Sequence, residues 1–558
     1  MDKLMFLVIV AIILAAMAIY GYISEKKLND YIIRKLKKSF GEPAGREWKS
    51  GEFIHVPGYS RNHETEFTID DITWNDLNMD DIFGKLNYTL SSAGEEYLYY
   101  LLRNPSLSSD GRDSFEEKIE HFRTDNDRRL ALQLALLKCG KTGKYSIYDY
   151  LNNLSNIDNL NPNKDYLLLI LYTLSVAVML ININVGIVIF VCVLIYGGVS
   201  YFAIKKKIEP YIISFAYVFR LINYSNTIIA IKDDFIREEQ DKLKENVSKF
   251  KRFSLMSDLV MGINRTPGNP IEIVVEYIRM FFHLDIIKFF QMRNEIKSRI
   301  DDIDELITII GSLDATVAIA MYREYVKDYC VPEFGNEGMK AEGLYHPLLT
   351  DPVANDIDLT KGIILTGSNA SGKSTMLKTI TVAAIMAQSV NTVTAASYSA
   401  PAYKIYTSLS LKDDIISGDS YYMREIKALK RIIDAGEGSD RPVLAAVDEV
   451  LRGTNTIERI ASSYVILKNM SKVKGLVLAA THDYELASML DELYDNYHFE
   501  ETIRGNDISF AYKMLKGMAT SRNAIKLLEI TGYDSEIIRE ANEMSMNLEK
   551  GELSVGLR

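Results

Sequence analysis

An apolar run, Gly362-Ile363-Ile364-Leu365-Thr366, leads directly into Gly367-Ser368-Asn369-Ala370-Ser371-Gly372-Lys373-Ser374, and a helical pattern follows from Ser374 to Ala387. Few folds accept that order. The apolar run reads as a buried strand, and the loop fits G-x-x-x-x-G-K-[ST]. A loop of this kind needs a strand to deliver it and a helix N-terminus to open from it. Backbone N–H groups and the helix dipole then converge on one spot, which suits phosphate. Lys373 would reach the β- and γ-phosphates of ATP, and the Ser374 hydroxyl would hold Mg2+. The plainer reading of the loop alone is a Gly-rich turn with an incidental lysine. Two further strand ends argue against it.

From Ala341 onward, short apolar strands (Ile363–Thr366, Val443–Val447, Leu476–Ala480) alternate with helical patterns. That alternation implies an α/β domain with a mostly parallel sheet. Val443-Leu444-Ala445-Ala446-Val447 ends in Asp448-Glu449. A buried strand ending there puts Asp448 beside the metal ion, and Glu449 can orient or deprotonate the attacking water. Leu476-Val477-Leu478-Ala479-Ala480 ends in Thr481-His482. An imidazole at that edge could sense the γ-phosphate or help to position water. Between these strands, Ser417-Gly418-Asp419-Ser420 would open a helix continuing to Ala435. It is either a plain helix cap or an anion-facing start that completes the ATP site of a second subunit.

A chain of 558 residues, 47% hydrophobic and 25% charged, should hold two to four domains. Its net charge of −11 argues against a protein that coats nucleic acid, although residues 205–300 hold 17 Lys/Arg against 12 Asp/Glu. That local excess fits a DNA-facing groove, a solvated helix face or a lipid-facing patch. Cys139, Cys192 and Cys330 form no C-x-x-C. They support neither a zinc site nor a disulfide framework, and they suggest a reducing compartment.

Leu4 to Ile23 is uncharged and long enough to cross a bilayer, and Lys26, Lys27, Arg34, Lys35, Lys37 and Lys38 follow it. The positive-inside rule puts that flank on the cytoplasmic side. A cleaved signal peptide is the competing reading. The run exceeds a usual apolar signal core, and cleavage would carry the downstream ATP site out of the cell. A second uncharged block spans Tyr166–Ile204, broken at Asn182-Ile183-Asn184 and closed by Lys205-Lys206-Lys207. It reads as a membrane hairpin with both ends on one side, or else as the core hairpin of a soluble domain. Residues 24–70 read as a linker or small module. Residues 71–140 and 208–330 are helical in pattern, with Asp301–Tyr329 as one long helix ending before Pro332.

At this point the motifs resemble the MutS family of DNA mismatch-repair and related ATPases. Thr366–Thr375 looks like the family's TGPNxGGKST loop. Asp413–Ser420, followed by Tyr421-Tyr422-Met423-Arg424-Glu425, looks like its DDxxxGxSTFxxE segment. Asp448-Glu449-Val450-Leu451-Arg452-Gly453-Thr454-Asn455 looks like its DEIGRGTS, and Ala480-Thr481-His482 like its ATH. Tyr345-His346-Pro347 resembles the opening of the ATPase domain. Ser509–Gly517 and Ala524–Ala541 resemble its closing, subunit-interlocking helices. Ile82–Leu107 and Asp301–Pro332 resemble the outgoing and returning parts of a helical lever.

The resemblance implies an α/β P-loop ATPase domain of ABC/MutS type over 341–558, preceded by an all-α lever over 71–340 that carries the inserted hairpin 166–204. Residues 1–23 would be a further anchor, giving a multi-pass protein of the cell membrane with lever and ATPase on the cytoplasmic face. It implies a homodimer in which Ser420 reaches the partner's γ-phosphate. It implies ring stacking on adenine, for which Tyr512 is one candidate, while Pro352-Val353-Ala354-Asn355 stands where another aromatic is common. No segment ahead of the lever resembles the mismatch-reading domain, so mismatch recognition is not expected. Two functions stay open: an ATP-driven clamp on DNA at the membrane, or a membrane-tethered switch for a protein or lipid partner. An ABC transporter half should carry an LSGGQ-like signature and more spans.

Overall fold

The computed structural model describes residues 3–44, 56–63, 65–143, 146–151, 163–250, 270–335, 337–368, 371–409, 421–451, 455–504, 507–518, 525, 528–529 and 531–549. Two compact units emerge, and both are discontinuous in sequence. The first comprises Met1–Glu64, Phe83–Leu101 and Gly111–Val326; the second comprises Thr65–Ile82, Leu102–Asp110 and Lys327–Arg558.

Among its described residues the first unit is helical. Helix α1 (Lys3–Lys38) contains the first apolar run. Helix α2 (Ser92–Arg103) packs on the returning helix α6 (Ile300–Val326). Gly311 of α6 has no room for a side chain, because a Cβ there would lie 2.7 Å from the Ala93 carbonyl. Asp314, fully buried one turn further on, accepts from the Leu90 and Ser91 backbone N–H groups and from Ser91 Oγ at 2.6–3.1 Å. It thereby satisfies donors just ahead of α2 that would otherwise be buried without partners. Asp314→Ala should strand those donors at about 1–3 kcal/mol each. A fall of several degrees in the unfolding temperature of the detergent-solubilised chain, with ATP affinity unchanged, is expected. Arg323, also buried, closes α6 with a two-pronged pair to Glu116 at 2.6 and 2.7 Å.

The hairpin forms as two helices, α3 (Asn163–Ile181) and α4 (Ile183–Ile229). The break is a single residue, Asn182, whose side chain accepts from the Val185 N–H and caps α4. Helix α4 does not stop at the three lysines; it continues for 47 residues, through Pro210. Both helices are long and apolar enough to cross a membrane, and only 22% and 17% of their most apolar stretches are buried. Helix α5 (Pro270–Phe282) packs against α1, α3 and α4.

The second unit is built on two sheets. Strands β1 (Glu333–Phe334), β2 (Met339–Leu344), β3 (Asn355–Leu359) and β5 (Ser397–Ala400) form the smaller, in the order β1-β5-β2-β3. The larger takes the order β10-β9-β4-β8-β7-β6, from β4 (Ile363–Thr366), β6 (Lys404–Ser408), β7 (Val443–Asp448), β8 (Gly475–Ala480), β9 (Asp495–Arg504) and β10 (Asp507–Lys516). All neighbours in it pair in parallel except β9 and β10. Strands covered on both faces explain the unbroken apolar runs in the sequence. Helix α7 (Lys373–Ser389), buried almost throughout, packs against β7 and β8. Helices α8 (Tyr421–Gly436) and α9 (Thr456–Met470) join a core with Ile364, Val443, Ala445, Val447, Val477 and Tyr494. Residues 509–516, expected among the closing helices, belong to strand β10, while residues 525 and 528–529 and α10 (Ser535–Glu549) are helical.

Edge strand β6 is covered by the helix Asp71–Asp76. Asp76 accepts from Thr407 Oγ1 and the Leu409 N–H, both at 2.8 Å, and Asp70 pairs with Arg431 at 2.6 Å. Covering the edge removes a template for strand addition.

Candidate functional site: a phosphate cradle at the carboxyl ends of three parallel strands

Parallel register brings the ends of β4, β7 and β8 together. Leu365 and Asp448 both pair with Ala480. Beyond the ladder, the Glu449 N–H donates to the Ala480 carbonyl at 2.9 Å, and the Thr481 N–H donates to the Leu365 carbonyl at 3.0 Å. The loop after β4, the Asp-Glu pair and the Thr-His pair thus meet at one edge, where open α/β sheets bind ligands.

The loop itself depends on glycine. Gly367 and Gly372 adopt φ of 142° and 108°, a region that side-chain-bearing residues rarely enter. Lys373 begins α7, and its Nζ donates to the Gly367 and Ser368 carbonyls at 2.8 and 2.7 Å, so the ammonium lies inside the loop. Ser371 Oγ is buried with no hydrogen-bond partner among the described residues. A buried orphan donor in a loop at a helix N-terminus suits an anion's oxygens.

Ser374 Oγ donates to Asp448 Oδ2 at 2.5 Å. Two hard oxygen donors side by side, one of them a carboxylate, fit Mg2+, which usually takes one or two carboxylates along with substrate phosphates. When bound there, the ion would neutralise charge on the β- and γ-phosphate oxygens. Glu449 follows with φ of 52°, and Leu451 with φ of 60°. Two non-glycine residues in the left-handed region, so close together, mark a strained turn held by its surroundings. Part of that hold is Glu425, buried on α8, whose carboxylate accepts from the Leu451 N–H. The Glu449 carboxylate lies 2.7 Å from His482 Nε2. A carboxylate fixed at the mouth of the cradle can accept a proton from water, and the imidazole beside it limits its rotation.

The cavity these groups share has a volume of about 960 Å3. Ser371, Gly372, Lys373, Ser374, Thr375, Asp448, Glu449, His482 and Tyr512 all line it. Asn369, Ala370 and Ser420 lie outside the described residues. Tyr512, 44% exposed, has φ of 51° at a bulge in β10. Val353, from the segment where the resemblance implies an aromatic, lines the same cavity.

Three contributors were not singled out from the sequence. Asn355 Nδ2 donates to the Val353 and Tyr512 carbonyls at 3.1 and 3.0 Å, and its Oδ1 accepts from the Met514 N–H at 2.8 Å. One side chain thus fixes both lips of the far end of the cavity. Arg459 on α9 makes a two-pronged pair with Asp483 at 2.7 and 3.1 Å, directly after His482, and that carboxylate raises the guanidinium pKa. Glu425 is the third; it was noted only as the end of a motif.

Residues 363–549 match the family model "MutS domain V". Among characterised proteins, the mouse "MutS protein homolog 4" is 32% identical over 293 residues, which is 49% of this chain and 30% of that protein. The "DNA mismatch repair protein MutS" of Lactobacillus delbrueckii subsp. bulgaricus is 32% identical over 275 residues, 47% of this chain and 32% of that protein. The same-named protein of Natronomonas pharaonis is 28% identical over 272 residues. The matched region therefore spans about a third of the length of these relatives. Over about half its length this chain is homologous to the MutS proteins, and its residues 363–549 match MutS domain V, a P-loop ATPase fold.

Proposed function

We propose that the chain is a Mg2+-dependent, membrane-anchored ATPase of the MutS type, which closes ATP between two copies of itself to drive a clamp-like change on DNA. The observation that carries this reading is the convergence of Lys373, Ser374, Asp448, Glu449 and His482 on one cavity. Those five supply a phosphate cation, two metal donors, a base and a polar partner for it. The exposed apolar hairpin of α3 and α4 supports the membrane anchor, and the lysines at 205–207 favour a cytoplasmic side for the lever and ATPase domains. Ser420 completes the partner's site in this reading. Mixing Ser420→Ala subunits with Lys373→Ala subunits should therefore rebuild one intact site per mixed dimer and give more hydrolysis than either variant alone; no rescue would put Ser420 in its own subunit's site.

A second reading, a switch acting on a protein or lipid partner, is favoured by the pairing of basic residues in the lever. Arg237, Lys242, Lys249 and Arg299 each face a carboxylate, from Asp234, Glu238, Asp302 and Asp302 respectively. The deciding measurement is ATP hydrolysis and DNA binding by the detergent-solubilised chain, with duplex and branched DNA, across a salt series. A DNA clamp should bind at low salt and weaken steeply as salt rises. Absence of binding at low salt would sink the clamp and leave the switch.

At the far end of the cavity, Tyr512 is proposed to stack on the adenine. Tyr512→Ala should weaken ATP binding by about tenfold, as expected for losing one aromatic–base stack of roughly 1–3 kcal/mol. Single-turnover hydrolysis at saturating ATP should change little. An unchanged dissociation constant would remove Tyr512 from the site.

A further inference from the structure

Helix α5 carries apolar side chains that the protein leaves uncovered: Ile273 is 56% exposed, Val274 52%, Tyr277 56% and Ile278 43%. Glu276 and Arg279 stand on the other side. At about 100° per residue they lie roughly 60° apart, while Ile273, Val274, Tyr277 and Ile278 spread over an arc of about 140° facing away from them. Soluble helices bury such a face.

The C-terminal end of α5 is pinned into the apolar hairpin. Phe282 packs on Leu168, Tyr172 and Val193, together with Phe190 and Leu194. Its ring centroid lies 4.6 Å from that of Tyr172. Tyr172 OH donates to the Phe281 carbonyl at 3.0 Å. Gly197 makes this approach possible, since a Cβ there would lie 2.8 Å from both the Phe281 carbonyl and Tyr172 OH. Just beyond, buried His283 bonds through Nδ1 to buried Asp165 at 2.6 Å and through Nε2 to the Gly197 carbonyl at 2.8 Å. Tyr201 OH then donates to Asp285 at 2.7 Å, and Lys205 Nζ donates to Tyr201 OH at 2.8 Å. The polar groups at this junction are thus joined to one another, as groups at the edge of a hydrocarbon layer need to be.

Depth follows from spacing. Gly197 precedes Lys205 by eight residues, about 12 Å along a helix at 1.5 Å per residue. The end of α5 therefore lies on the apolar side of the lysines, level with Asp165 near the start of α3, where the joined polar groups mark the edge of a hydrocarbon core about 30 Å thick. Thirteen residues make a helix of about 20 Å, too short to cross. Resting on the membrane placement of α3 and α4 proposed above, we infer that α5 is a further membrane-embedded element. It is a short helix at the edge of the hydrocarbon layer, in the leaflet next to the lysines. Ile273, Val274, Tyr277 and Ile278 contact acyl chains, and Glu276 and Arg279 face the headgroups. The occupant of this face is lipid, because the face continues the exposed apolar surface of α3 and α4, to which α5 is fixed.

The test uses the full chain in phosphatidylcholine/phosphatidylglycerol nanodiscs, with Cys192 and Cys330 replaced by Ser and buried Cys139 left in place. Single cysteines at Ile273, Val274, Tyr277 and Ile278 are labelled with an environment-sensitive fluorophore, as are Glu276 and, in the hairpin, Val188. All six positions except Glu276 should be quenched at least twofold by lipids carrying a nitroxide on the acyl chain. Glu276 should respond instead to a water-soluble quencher. Since these side chains point outward, labelling leaves the packed side of α5 untouched. If Val188 is quenched by lipid and the four α5 positions only by the aqueous agent, the inference is overturned and the membrane hairpin stands. If Val188 is also aqueous, the hairpin placement fails and the inference falls with it.

Discussion

Glu449→Gln should bind ATP with nearly unchanged affinity and hydrolyse it at least 100-fold more slowly. The carboxylate stands at the carboxyl edge of the sheet, one residue after Asp448, with a backbone conformation only its surroundings can hold. Glutamine keeps the shape and can still accept from His482 through its carbonyl oxygen. It cannot take a proton from water. General-base catalysis typically contributes 10²–10⁴-fold, about 2.7–5.5 kcal/mol of barrier, and that whole contribution is at risk. In the proposed reading the ground-state contacts to the phosphates come from the loop and Lys373, which this substitution leaves alone. Single-turnover phosphate release and titration with a fluorescent ATP analogue would separate the two effects. Normal hydrolysis by Glu449→Gln would show that Glu449 is not the base, and the same assay on His482→Ala would then ask whether the imidazole takes that role.

The site was legible in the sequence because each part of it closes a buried parallel strand. Such strands print as uninterrupted apolar runs, and the first polar residues after them fall at the sheet's carboxyl edge. Asp448, Glu449 and His482 stood out for that reason, as did the loop after Thr366. Asn355 did not, since its partners Tyr512 and Met514 lie more than 150 residues away and an asparagine at a strand start looks like an ordinary turn residue. Nothing local in residues 65–82 announces that they cover β6; their pairing with Thr407, Leu409 and Arg431 is set by tertiary contact alone. The continuation of α4 past Lys205-Lys206-Lys207 has a simpler cause. Lysine is itself a good helix former, so a charge run that closes an apolar stretch leaves the helix intact.

Lys373→Ala should lose ATP binding, with the dissociation constant rising by at least 100-fold. The ammonium is buried and already bonded to two loop carbonyls. It is therefore held in the cradle before the nucleotide arrives, and little ordering cost remains when phosphate oxygens replace or join those carbonyls. Charge-assisted hydrogen bonds of this kind are worth about 1.5–3 kcal/mol each, so losing two of them accounts for the expected change. Alanine also leaves the β- and γ-phosphates facing carbonyl oxygens with no cation between them, which adds repulsion to the lost attraction. Lys373→Met separates charge from packing, because it fills the same space along the stem. If Met binds ATP as poorly as Ala, the charge is what binds. If Met restores binding, the lysine acts chiefly by bracing the loop, and the phosphate contacts must come from the backbone N–H groups. Thermal unfolding without nucleotide serves as the control. Both variants remove the buried ammonium and leave the Gly367 and Ser368 carbonyls without that donor, so their unfolding temperatures should fall by a similar, small amount, while only the unaltered chain gains stability as ATP is added.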